Sequence, residues 1–163
     1  MFPETPKKSN IISDTVKVVF KRRLVDRVLR HWTEMAREQR FPRRDQIEPS
    51  TLGVDWANCF LIAVQSPDQL SYFAACGTNL SFAFCPHDSL ADVFLSHLPL
   101  VLSERRCLMI EGSFCQMGIL YRGAPYPLSD DGIVIDHVLG AANYRPLREN
   151  EYPLPPLVRI KWL

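Results

Sequence analysis

Residues 125–145 read Pro-Tyr-Pro-Leu-Ser-Asp-Asp-Gly-Ile-Val-Ile-Asp-His-Val-Leu-Gly-Ala-Ala-Asn-Tyr-Arg. Asp131-Gly132 stands between two apolar runs, and a turn pair flanked in this way is the strongest short-range signal for a β-hairpin. The expected geometry is a strand over Pro125–Leu128, a turn at Asp131-Gly132, and a second strand from Ile133 to Tyr144. Just upstream, Phe114 to Arg122 is strand-like, with Gly123-Ala124-Pro125 as a break before the hairpin. Cys107–Ile110 fits the end of a helix or the start of a strand.

Working toward the N-terminus, Leu90 to Glu104 has the composition of a helix, with Pro86-His87-Asp88-Ser89 as its cap and Pro99 as a site of kinking or breakage. Asn58 to Gln65 is an apolar run bounded by turn signals and reads as a buried strand. Leu70 to Cys76 reads as a second strand, followed by a change of direction at Gly77 and one helical turn from Thr78 or Asn79 through Phe84. Between Thr15 and Gln39 there is no Gly or Pro. Val25, Val28, Leu29, Trp32, Met35 and Ala36 recur there at spacings of three and four, as one face of a helix does. Lys21, Arg22, Arg23, Asp26, Arg27, Arg30 and Arg37 occupy the other face. Phe41-Pro42 is the expected helix end, since Pro lacks a donor and disfavours a helical residue before it. Val16, Val19, Phe20 and Leu24 add more apolar surface than one face requires, and such excess suits a helix that packs on a second copy of the chain.

The chain thus divides into a polar segment over residues 1–14, a helix over 15–40, a domain over 41–148, and a proline-rich tail over 149–163 that is expected to lack regular structure. One helix, two strands, short helices and then further strands make an α+β domain with an antiparallel sheet. A length of 163 residues with 47% hydrophobic content suits one core. The net charge of +1 argues against a dedicated nucleic-acid surface. No apolar run reaches the ~18–20 residues that span a bilayer, and the first residues lack a signal core. Five cysteines with no Cys-x-x-Cys pair suit reduced thiols. The expectation is a soluble cytoplasmic protein, with binding to a membrane surface unlikely on the same grounds.

In order along the chain, these motifs resemble the single-domain PAS family of alphaproteobacteria. The residues that carry the resemblance are Trp32 in the early helix and Phe41-Pro42-Arg43-Arg44-Asp45-Gln46-Ile47-Glu48-Pro49, with one extra residue before the isoleucine. The apolar strand Asn58–Val64 follows, and then Tyr72-Phe73-Ala74-Ala75-Cys76-Gly77-Thr78. Last come Pro127-Leu128-Ser129-Asp130-Asp131-Gly132 and Leu139-Gly140. The resemblance spans about residues 25 to 145. It implies a PAS-like fold: a five-stranded antiparallel sheet with short helices on one face and an N-terminal amphipathic helix. It also implies a stand-alone sensory or signalling module. Such a module binds a small molecule, a protein partner or both, and homodimerises through its first helix. The alternative is a ligand-free dimerisation and docking module with a fully packed core.

A pocket between sheet and helices would be walled by Phe60, Tyr72, Phe73, Phe82, Phe84, Phe94, His97, Met109, Phe114 and Met117. Haem is not supported, because His97 and His87 are isolated histidines near a helix, a setting where packing roles are commoner than ligation. Flavin photochemistry is not supported either: Asn58-Cys59-Phe60-Leu61 echoes a reactive-cysteine motif but falls in a strand and lacks its Arg. Cys76, Cys85, Cys107 and Cys115 sit in apolar company, where thiols stay protonated. No metal ligand set is expected. An enzyme is not expected, since the chain carries no nucleophile elbow, P-loop or dinucleotide fingerprint, and Asp130-Asp131 suits a turn.

Overall fold

The computed structural model describes residues 23–65, 71–81, 90–114, 117–151 and 158–163. In β1 (Cys59–Ala63) all five residues are buried. A strand covered on both faces needs such an unbroken apolar run, since neither set of alternating side chains meets water. On one side β1 pairs antiparallel with β2 (Tyr72–Cys76), and on the other with β5 (His137–Pro146). Beyond β5 follow β4 (Ile119–Leu128), β3 (Leu108–Phe114) and β6 (Val158–Trp162), so the order across the sheet is β2-β1-β5-β4-β3-β6. All the pairings are antiparallel.

The sheet therefore has six strands rather than the expected five. The additional strand, β6, comes from the segment read as an irregular tail: Leu108 lies opposite Trp162 and Gly112 opposite Val158. Its alternation of apolar and basic residues suits an edge strand, and Arg159 and Lys161 are the charges that discourage further pairing at such an edge.

Two other expectations are corrected in the same region. Phe114 to Arg122 is not one strand but the end of β3 and the start of β4, joined by a turn that includes Gly118 at a φ of +64°. Gly123-Ala124-Pro125 does not interrupt β4, which runs through both Pro125 and Pro127. Proline is tolerated here because the pairing of β4 with β3 reaches only to Gly123, so the missing donors leave no β3 acceptor waiting. The freed Pro127 carbonyl instead accepts a hydrogen bond from Trp32 Nε1 at 2.8 Å.

The Asp-Gly turn stands, yet the strand after it begins at His137 rather than Ile133. Asp131 accounts for the delay. Its Oδ1 accepts from the backbone N–H groups of Ile133 and Val134, both at 2.8 Å, and from Ser129 Oγ at 3.1 Å. Those bonds to Val134 and then Ile133 hold the carboxyl below its usual range, and they turn the backbone away from the ladder. Ile133 and Val134 are left 71% and 60% exposed.

Among the described residues, two helices cover the sheet. α1 (Leu24–Ala36) lies across β4 and β5 on one face, and α3 (Leu90–Glu104) lies against β4 on the other. α2 (Pro49–Leu52) is a single turn leading into β1. Alternation along the strands separates the two interiors. Phe60, Ile62, Tyr121, Val138 and Ala142 pack with Phe94, Leu98 and Val101 of α3. Cys59, Leu61, Tyr126, Leu139 and Ala141 pack with Leu24, Val25 and Val28 of α1. The segment after α1 wraps the end of the sheet, placing Phe41 in the first interior and Ile47 in the second.

α1 ends at Ala36, earlier than Phe41-Pro42, where Arg37 takes a φ of +51°. α3 matches its expected span and passes through Pro99 without a break. Pro99 is exposed, and the preceding turn gains side-chain donors: Ser96 Oγ and His97 Nδ1 both bond the Val93 carbonyl at 2.8 Å. Among the described residues no helix is long and apolar enough to cross a membrane.

Candidate functional site

The expected pocket residues do not share one wall. Phe60 and Phe94 do meet, with ring centroids 4.9 Å apart, and Phe73 stands edge-on to Phe60 at 5.5 Å. Phe114 and Met117 pack against the same interior. Met109 lies on the opposite face, with the α1 cluster, because it alternates with Leu108 and Ile110 along β3. Tyr72 is 54% exposed on the edge strand β2. His97 bonds a carbonyl of its own helix, as any satisfied helical histidine does. Phe82 and Phe84 lie outside the described residues, as do Val16, Val19 and Phe20 of the expected dimer helix. The fourth residue of that set, Leu24, is 4% exposed and packs within its own chain.

Between α3 and the sheet, two buried rings lie directly on the strands. A Cβ placed on Gly140 would stand 1.9 Å from Phe60 Cζ, and one on Gly123 would stand 2.4 Å from Phe94 Cζ. These glycines are required because the rings lie directly on the strand backbones of β5 and β4. Phe60 and Phe94 are 0% and 1% exposed. Cys59 and Cys107 are buried as well, and burial pushes both thiols up to about 12, which leaves them protonated. Cys76, expected in apolar company, is exposed.

An open concavity lies on the other face. α1 covers only part of that face, and beyond it a groove of about 480 Å³ crosses β3, β4, β5 and β6. The strand register builds its floor. Arg159 stands opposite Glu111, Glu111 opposite Arg122, and Arg122 opposite Asn143, so the four form one row across the sheet. Ser113, Leu120 and Arg145 form the next row. Rows on one face of a strand repeat every two residues, about 7 Å apart, and neighbouring strands lie about 4.8 Å apart.

The polar partners within the groove are unequal. Arg122 gives Nε and Nη2 to the same oxygen of Glu111, at 2.9 and 2.6 Å. Arg145 forms a two-pronged pair with Glu151 at 2.8 and 3.0 Å. That pair, together with the Arg148 backbone N–H, lowers the Glu151 carboxyl to about 2 from the ordinary 4.5. A carboxyl with a depressed folded-state pKa supports the fold above its unfolded pKa and loses that support as pH falls through the folded one. The brace is therefore complete above about pH 4.5 and lost toward about pH 2. In an NMR titration, the Glu151 side-chain carboxyl carbon is expected to show its midpoint near 2, and Arg145→Ala to move it toward 4.5. A midpoint already near 4.5 in the unaltered protein would contradict the brace.

Arg159 makes no ion pair among the described residues. Ser113 is 4% exposed, and its Oγ is buried with no hydrogen-bond partner among the described residues. Tyr121 Oη is in the same condition, and burial raises its pKa. A sequence offers no signal for this grouping: Glu111, Ser113, Arg122, Asn143, Arg145 and Arg159 come from four strands, and only the register brings them together.

Next to the groove, α1 is fastened by polar contacts, Gln46 Nε2 to the Met35 carbonyl among them. Tyr126 Oη donates to the Val25 carbonyl at 2.7 Å, deep in the interior. Trp32 Nε1 donates to Pro127, and Arg27 pairs with Asp55 at 2.9 Å. Among the described residues no group of three or more His, Cys, Asp or Glu side chains is placed to hold a metal ion. No family model, curated protein or solved structure matches the chain.

Proposed function

We propose that the chain is a PAS-like sensory module that binds a small molecule, a protein partner or both, and passes the signal on through protein contacts. The observation that carries this reading is the division of one sheet face between a helix and a groove. α1 occupies the β4–β5 surface on one half, and the open groove occupies the other half of the same strands. A ligand or partner seated in the groove touches β4 and β5, the same two strands on which α1 rests. Differential affinity for two positions of α1 is all that a signal requires. The resemblance in sequence supports the reading through the ordered motifs from Trp32 to Gly140. The antiparallel sheet of an α+β domain supports the reading, though it has six strands where the resemblance implies five. Homodimerisation through the first helix, a cytoplasmic site of action and the lack of catalysis belong to this proposal.

The second reading is a docking module without a ligand. It is favoured by the ring packing at Gly140 and Gly123, which leaves the α3 side of the sheet filled.

Hydrogen exchange distinguishes the two. The protein as purified is compared with the same protein unfolded, desalted and refolded. The sensory reading expects amides in Leu24–Ala36 to exchange faster after this stripping, with β1 and β5 unchanged. Identical exchange in the two samples would leave the docking reading in place.

A further inference from the structure

The sensory reading leaves open what the module senses, and the groove on the α1 face narrows the answer. We propose that this groove is a binding site for a small organic anion, one that carries a carboxylate or phosphate group. The inference rests on the sensory reading for its purpose but on the groove alone for its chemistry.

Three guanidiniums, those of Arg122, Arg145 and Arg159, line the groove with one carboxylate, that of Glu111, and Arg145 pairs with Glu151 outside the lining, so the local balance is positive. The two carboxylates do not use up the donors. Arg122 spends Nε and Nη2 on one Glu111 oxygen, and its Nη1 has no partner among the described residues. Arg159 is unpaired among them altogether. Arg122 and Arg159 flank Glu111 in one cross-strand row, so their Cα positions lie about 10 Å apart. Arginines on backbone positions at that separation suit the two ends of a short dianion, since arginine recognises planar oxyanions through paired N–H donors.

A separate observation comes from Ser113, a residue of the same groove's lining. Its Oγ is buried, and no partner among the described residues satisfies it. An orphaned buried hydroxyl is costly to a fold and uncommon without a reason. An oxyanion in the groove supplies the missing acceptor. Asn143 completes the row with a side chain that both donates and accepts. The groove's volume, about 480 Å³, falls within the range of small-molecule sites.

The test is an amide-resolved NMR titration of the full chain with sodium succinate and, separately, sodium phosphate, each against sodium chloride at matched ionic strength. Saturable shifts are expected on residues 111–113, 120–122, 143–145 and 158–160. Succinate alone, or phosphate alone, would assign the head group. Arg159→Gln, an exposed edge-strand change, is expected to weaken binding roughly 10-fold or more. Ser113→Ala is expected to weaken binding while leaving the melting temperature equal or higher, because it removes an orphan hydroxyl. Shifts that chloride reproduces, or binding that neither variant alters, would overturn the proposal. The two claims fail separately. Binding in the groove with no change in α1 exchange would keep the site and end the sensory reading. A silent groove alongside a ligand held elsewhere would do the reverse.

Discussion

Phe60→Ala is expected to destabilise the domain by about 3–5 kcal/mol, the cost of emptying a fully buried aromatic position. Gly140→Ala is expected to cost about 1–3 kcal/mol for the opposite reason, since its added methyl meets the Phe60 ring. The informative result is the pair. A Cβ on Gly140 lies within 2.5 Å of three carbons of that ring, so removing the ring removes the clash. In the Phe60→Ala background, Gly140→Ala is expected to be neutral or to recover stability by partly filling the cavity. The coupling between the two sites should then reach about 1–3 kcal/mol, measured by denaturant unfolding of all four proteins. Additive losses would mean that the ring does not lie on the β5 backbone. The filled interior between α3 and the sheet, and the case for placing the binding surface on the other face, would then weaken together.

Val28→Asp tests the other face. Val28 is 0% exposed beneath α1, and an unpaired carboxylate there costs more than about 4 kcal/mol if the helix stays in place. The helix has an alternative, which is to leave the sheet. The measured loss is therefore capped by the free energy with which α1 docks. Trp32 emission is expected to shift to the red while the far-ultraviolet signature of the sheet persists. Tyr126→Phe gives the graded companion. It removes the donor to the buried Val25 carbonyl and should cost about 1–3 kcal/mol without releasing the helix. A single cooperative collapse of Val28→Asp, with helix and sheet lost together, would show that α1 is a fixed part of the core and not a movable cover.

Much of this architecture is legible in the residues. α3 is legible over about Leu90 to Glu104 because the segment is strongly apolar, and the exposed Pro99, a site where a break or kink is expected, does not interrupt it. β1 is read because a five-residue apolar run between turn signals has few other uses. What escapes is set by partners distant in sequence. Pro125 and Pro127 look like strand breakers until the end of the β3–β4 pairing at Gly123 is known. Val158–Trp162 follows a proline-rich stretch, and nothing local reveals that β3 has a free edge waiting for it. Ile133 and Val134 look like strand residues because β-branched side chains favour strands, yet the bonds to Asp131 hold them in the turn.

The candidate site was less legible than the fold. Aromatic residues draw attention as pocket walls, and here Phe60 and Phe94 fill the space instead of framing it. Met109 falls on the α1 face because β3 starts at Leu108, and a strand's first residue determines which side every later one takes. The arginines of the groove carry no motif at all. Glu111 and Ser113 alternate correctly for one face of a strand, and that is the only trace the sequence holds of them.

The central claim, that this domain senses something it binds, is tested most directly by native mass spectrometry of freshly purified protein, repeated after denaturation. The account predicts a folded species heavier than the bare chain or its dimer by a defined small mass, lost on denaturation. A folded species of bare chain mass under the same conditions would contradict it and leave a docking module that works through protein contacts alone.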